Sequence, residues 1–193
     1  NDVYDYLSQD APAANTYTPY YHQRASHFAT LPIDNNDIIF LGNSLSDNGL
    51  WNEMFDNPDI KNRGIIGDIV QGISDRVGFV TKGKPQKIFL LIGVNDVSHH
   101  LTADSIVTAV EKLVVKIKTE SPETELYLQS WLPINNDFKR YKNMIGKEMT
   151  ILHGNVLLEQ VARRQGVTWI NLFPVFADRD CKLPKELTND GLH

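Results

Sequence analysis

The 193-residue sequence has a single cysteine, Cys181, which excludes an internal disulfide framework and leaves the chain to be held by its core and its hydrogen bonds. It has no apolar run approaching the roughly 18 residues of a membrane span, no internal repeat and no low-complexity tract. Positive charge is also scarce. The formal net charge of -5 disfavours nucleic acid and anionic membranes as partners, and leaves small neutral or modestly charged ligands open. No Gly-x-x-x-x-Gly-Lys-Ser/Thr loop is present to cradle a nucleotide phosphate. The chain opens on Asn1 with neither an initiator Met nor a charged-then-apolar leader. The expectation is therefore a removed preceding segment and a secreted or periplasmic protein, with a cytoplasmic location still open.

What the sequence does have is the composition of an ordinary globular chain, 41% hydrophobic and 22% charged, long enough to bury one core. The reading is one domain over residues 1–193, with an N-terminal helical extension covering about 1–36. Residues 18–31 form its helix, with Pro19 in the first turn. His22 and His27 lie there outside any metal-ligand spacing and carry no chemistry.

Five short apolar runs read as strands: 37–42, 60–62, 86–92, 125–129 and 167–172. Between them the helical period appears around 50–55 and again from Asp68, where Ile69, Ile73, Val77 and Val80 form one stripe. It recurs over 104–118, and over 138–164 with Gly146 and Gly154 as points of interruption. Residues 173–188 read as an irregular loop. Strands alternating with helices predict an α/β sandwich around a parallel sheet with right-handed crossovers.

The polar turns follow the strands. Ser44 comes after the first, Gly67 after the second, Asn95 after the third, and Asp190 and His193 after the last. In a parallel sheet these ends share one rim, where α/β proteins bind ligands. Each residue alone is as well explained by capping or turn formation. Together they match the needs of ester cleavage. A serine hydroxyl becomes a nucleophile when a histidine takes its proton, and a carboxylate holds that imidazole in the right tautomer. Asp190 and His193, three residues apart, supply both groups. The Ser44 and Gly67 N–H groups and the Asn95 amide are candidate donors to the oxyanion. The scheme requires no metal and no cofactor.

The motifs Phe40-Leu-Gly-Asn-Ser-Leu-Ser46, Asn62-Arg-Gly-Ile-Ile-Gly-Asp68, Gly93-Val-Asn-Asp96 and Asp190-Gly-Leu-His193 resemble the blocks of the SGNH, or GDSL-like, family of serine esterases and lipases. The resemblance covers nearly the whole chain. It implies a flavodoxin-like three-layer αβα fold with a five-stranded parallel sheet ordered 2-1-3-4-5. It also implies that Ser44, Gly67, Asn95 and His193 are the four residues of the family name, with Asp190 completing the triad and Gly64 the rival to Gly67.

Two departures stand out. Asn43 replaces the usual Asp before the serine, and the chain stops at His193, where family members continue into a final helix, so that helix is expected to be missing. Within the family the motif set is similar to carbohydrate O-acetylesterases, including sialate 9-O-acetylesterases, and to platelet-activating factor acetylhydrolase subunits. The implied substrate is a small acetyl ester, on sialic acid or another glycan. The alternatives are a lysophospholipase or thioesterase for longer acyl chains, or a non-catalytic carbohydrate-binding relative. Trp131 and Leu132 are expected to wall the acyl pocket, with His99 and His100 bordering the cleft. Oligomeric state stays open.

Overall fold

The computed structural model describes residues 17–193. The expected polar stretch 1–16 of the N-terminal extension lies outside the described residues. Helix α1 (Pro19–Thr30) starts at Thr18, whose hydroxyl accepts from the Tyr21 N–H at 3.1 Å, with Pro19 at its first position. Tyr21, Ala25 and Phe28 are buried on one side of it around Ile65, and the Tyr21 hydroxyl donates to Gly72 O at 2.7 Å. His22 and His27 are exposed on the other side.

The strands are β1 (Ile38–Gly42), β2 (Ile60–Gly64), β3 (Lys87–Leu91), β4 (Glu125–Gln129) and β5 (Thr168–Ile170). They form one parallel sheet in the order β2-β1-β3-β4-β5, as expected. The register pairs Gly42 of β1 with Gly64 of β2 and with Leu91 of β3, so the strands end level at one rim.

Alternation decides what each face meets. Ile39, Leu41, Ile88, Leu90, Leu126 and Leu128 are buried towards the long helices. Burying each such side chain stabilises the fold by about 1.5–3 kcal/mol before conformational entropy is counted. On the opposite face Phe40, Phe89 and Tyr127 stack in a row at centroid distances of 5.2 and 4.5 Å. Trp51, from the helical turn Trp51–Met54, lies flat on Phe40 at 4.6 Å.

Helix α2 (Ser44–Asp47) follows β1 directly, and α3 (Val70–Arg76) follows the turn after β2. This second helix begins two residues later than the reading from Asp68, because Asp68 turns inward to pair with Arg76 at 2.9 Å. Ile69 is accordingly only half-buried, and Val70 takes its place in the stripe with Ile73, Val77 and Val80. Helix α4 (Val94–Ser98) opens at Gly93, and α5 (Ala103–Glu120) buries Ile106, Val110, Leu113, Val114 and Ile117 as its period predicts.

The stretch 138–164 is not one helix. Residues 133–147 form a loop with 3-10 turns at Asn136–Phe138 and Lys142–Met144, and α6 (Glu148–Gln165) starts only beyond them. Left-handed backbone at Lys139 (φ 54°) and Gly146 (φ 75°) breaks the helix at both points. Gly154 interrupts nothing; it lets α6 approach the Trp131 ring, where a Cβ would sit 2.0 Å from an indole carbon.

That close approach makes a paired prediction. Gly154→Ala should destabilise the protein by about 1–3 kcal/mol through overpacking. Gly78→Ala, where a Cβ would meet nothing within 4 Å, should be neutral or slightly stabilising. Equal denaturation midpoints for Gly154→Ala and the native chain would show that the helix moves freely against Trp131.

Candidate active site

The turn after β1 is built by Asn43, which is fully buried and accepts the Leu45 N–H on Oδ1 at 3.1 Å. An Asp could make the same cap, so the change from the family's usual residue keeps this contact. Ser44 follows as the first residue of α2. Its hydroxyl lies 2.9 Å from His193 Nε2, although the two residues are 149 positions apart in sequence. His193 Nδ1 lies 2.7 Å from Asp190 Oδ2.

The other oxygen of Asp190 accepts the His193 and Leu192 N–H groups at 2.8 and 2.9 Å. Burial by itself pushes the Asp190 carboxyl up. The hydrogen bonds from the His193 N–H and imidazole, the Leu192 N–H and the Tyr141 hydroxyl outweigh it and hold the group well below the usual carboxylate range. An ionised carboxylate only accepts, so Nδ1 carries the imidazole proton and Nε2 is left to accept from the Ser44 hydroxyl.

The wall facing Ser44 comes from the turns after β2 and β3. Ile65 N donates to Gly42 O at 3.0 Å, which ties the first of these turns to the end of β1. Gly67 is exposed in that turn with φ 77° and lines the cleft. Gly64 does not reach the cleft: it is buried where a Cβ would strike Asp47 N at 2.1 Å, so its smallness admits α2 against β2. Asn95 lines the cleft from α4 and donates from Nδ2 to Asp68 O at 2.8 Å, leaving the second amide hydrogen available. The N–H groups of Ser44 and Gly67 have no acceptor among the described residues.

Asp96, beside Asn95, is buried and accepts the Val70 N–H at 3.2 Å, linking α4 to the start of α3. Burial pushes its carboxyl up to about 6, with the Val70 N–H opposing.

Two expected wall residues lie elsewhere. Trp131 is 1% exposed; its indole N–H donates to Ile92 O at 2.6 Å, and its ring packs under Gly93. With Leu132 it borders a void of about 10 Å³ next to Asn43 and Leu45, no larger than one water. It supports the rim from the core and does not face the cleft. His99 and His100 sit exposed past the end of α4, and Ser98 lines the cleft in their place.

Sequence reasoning placed a polar loop after Pro133 but started the helix at Phe138, and so missed the part of the loop that carries Tyr141. Its Tyr141 hydroxyl donates to Asp190 Oδ2 at 3.0 Å, and the ring meets the His193 ring edge-on at 5.9 Å. It also missed Asp47, which accepts from Tyr20 at 2.7 Å, Arg24 at 3.0 Å and Ile66 N at 3.0 Å, joining α1 to both rim turns. The cleft itself, about 740 Å³, mixes apolar Ile66, Val94, Met144 and Leu192 with polar side chains.

Comparison with known proteins agrees with this architecture. The model of the GDSL-like Lipase/Acylhydrolase family matches residues 40–193. Platelet-activating factor acetylhydrolase IB subunit alpha2 of Rattus norvegicus is 28% identical over 103 residues, 50% of this chain and 44% of that protein, so the match spans less than half of the relative's length. A Streptococcus pneumonia structure, provisionally named as a platelet activating factor, superposes with a TM-score of 0.81 at 25% identity, covering 90% of this chain and 85% of the other. A variant of an acetyl-xylooligosaccharide esterase from Geobacillus stearothermophilus superposes with a TM-score of 0.62 at 17% identity, covering 84% and 89%. At that identity it attests the fold alone. The family match takes in every element from β1 to His193, and the chain belongs to the GDSL-like lipase/acylhydrolase family.

Proposed function

We propose that this chain hydrolyses carboxylic esters through a covalent acyl-serine, with acetyl groups on carbohydrate, sialic acid or another glycan, as its substrates. The observation that carries the reading is the hydrogen-bonded array Ser44–His193–Asp190, at 2.9 and 2.7 Å. In this scheme Ser44 Oγ attacks the carbonyl carbon as its proton passes to His193 Nε2, and Asp190 stabilises the imidazolium. The oxyanion takes hydrogen bonds from the Ser44 and Gly67 N–H groups and from Asn95 Nδ2. Collapse of the tetrahedral intermediate sends the proton from His193 to the leaving alcohol. Water then repeats the sequence on the acyl-serine and frees the acid.

The short acyl group is supported by a similar protein that carries acetyl hydrolysis in its name. A polar wall of Asn95, Ser98 and Asn143 suits a hydroxylated alcohol. The rival, a lysophospholipase or thioesterase, draws on the apolar strip Ile66, Val94, Met144 and Leu192, along which a longer chain would lie in the open cleft.

Hydrolysis of p-nitrophenyl esters from acetyl to dodecanoyl separates these readings. The native chain should prefer acetyl, and Ser44→Ala should lower kcat by at least about 10³. Preference for dodecanoyl would move the substrate to lipid, and the absence of any Ser44-dependent turnover would leave a binding role. Asn95→Ala should cost about 10²–10³ in kcat, the usual price of one oxyanion donor; a loss under tenfold would remove it from that role.

Asp96 makes a prediction of opposite character. Its folded pKa of about 6 exceeds the unfolded carboxylate value of about 3.9, so between these limits the native state holds the extra proton. This group's contribution is therefore most favourable below about pH 4 and is lost as the pH rises through about 6. Asp96→Asn keeps an acceptor for Val70 N–H and should gain stability relative to the native chain over that interval. A stability difference independent of pH in equilibrium denaturation would refute the buried-carboxylate account.

A further inference from the structure

The cleft is basic although the protein is acidic. Arg140 and Lys142 line it beside His193, and no Asp or Glu is among its described wall residues, against a net charge of -5 for the whole chain. Neither cation is in an ion pair with a described residue. The loop's own carboxylate, Asp137, is already taken by Lys182 at 3.0 Å.

The loop that carries the two cations is also held in place. Tyr141 between them is fixed to Asp190, and Met144 just beyond is 2% exposed. Asn136 Nδ2 closes the loop by donating to Met144 O at 3.0 Å and Glu148 Oε1 at 2.6 Å. A solvated charged rim would explain the exposure of Arg140 and Lys142. It would not explain two unpaired cations lining the cleft, on a loop whose nearest carboxylate, Asp190, is already engaged by His193 and Tyr141.

Their side of the cleft is defined by chemistry. His193 delivers its proton to the leaving oxygen, so the alcohol portion of the ester lies on the imidazole side. The Tyr141 ring packs against that imidazole, and Arg140 and Lys142 flank Tyr141 among the residues lining the same cleft. We propose that Arg140 and Lys142 form an anion-binding lip, which selects esters whose leaving alcohol carries a carboxylate or a phosphate. A guanidinium meets either group through paired N–H donors, and the ammonium adds a point charge. The inference rests on the ester-hydrolase reading above.

The test compares kcat/KM for phenyl acetate with that for its meta-carboxylate, meta-phosphate and meta-trimethylammonium derivatives, in the native chain and in Arg140→Gln/Lys142→Gln. The native chain should favour the better anion over phenyl acetate by about tenfold, the sum expected of two partly exposed charge contacts. The double variant should lose most of that ratio, and Lys142→Glu should lower it further even if the double variant folds poorly. Whether carboxylate or phosphate gains more assigns the subsite to one of them. An anion-to-neutral ratio at or below one, a ratio untouched in both variants, or a trimethylammonium ester turned over as fast as the anions would overturn the proposal. Ser44→Ala keeps the two readings apart. If it still cleaves phenyl acetate, the hydrolase reading fails; if cleavage is lost with Ser44 but the native ratio is flat, only the anion lip fails.

Discussion

The carboxylate of Asp190 holds two separate stretches of chain, its own loop and the 133–147 loop, to one geometry. It receives the backbone of its own loop on one oxygen, and the imidazole of His193 and the hydroxyl of Tyr141 on the other. Hydrogen bonds to an ionised acceptor are short and strong, and each donor here would be left partly buried and unpaired without it. The loop is further tied by Asn135 N donating to Gly191 O at 2.8 Å. His193 therefore reaches Ser44 with its ring orientation already determined.

Asp47 does the corresponding work on the opposite bank. As the last residue of α2 it collects Tyr20 and Arg24 of α1 and the Ile66 N–H of the turn bearing Gly67. The turn bearing Ser44 and the turn bearing Gly67 thus share one anchor, and α1 is stitched to it from outside the sheet. Level strand ends bring these banks to the same rim, so the sheet register and the two carboxylates together define the cleft.

Much of this was legible in the sequence, and the reason is local. β1 and the body of β3 are apolar runs, and Ser44, Gly67 and Asn95 lie within a few positions of a strand end, so they could be named before any fold was seen; Asp190 and His193 lie far beyond β5 and were named from their three-residue spacing and the motif they form. The 138–145 part of the 133–147 loop was not legible. Its residues suit a helix up to Gly146, and what prevents one is left-handed backbone at Lys139, together with contacts from Tyr141 and Asn136 to distant partners. Trp131 was ambiguous for a related reason: an aromatic after a strand fits a pocket wall or the core equally well, and the choice fell to Gly93 and Gly154, which come close only in three dimensions.

The indole of Trp131 lies between those two glycines as a shim between the sheet rim and α6. Volume at positions 93, 131 and 154 is consequently shared, and the three cannot drift independently. A lineage that shortens the aromatic gains room for a side chain at either glycine, whereas one that fills a glycine first must pass through a strained intermediate. The order of mutational steps is thereby constrained, and redesign of this layer has to begin with the aromatic.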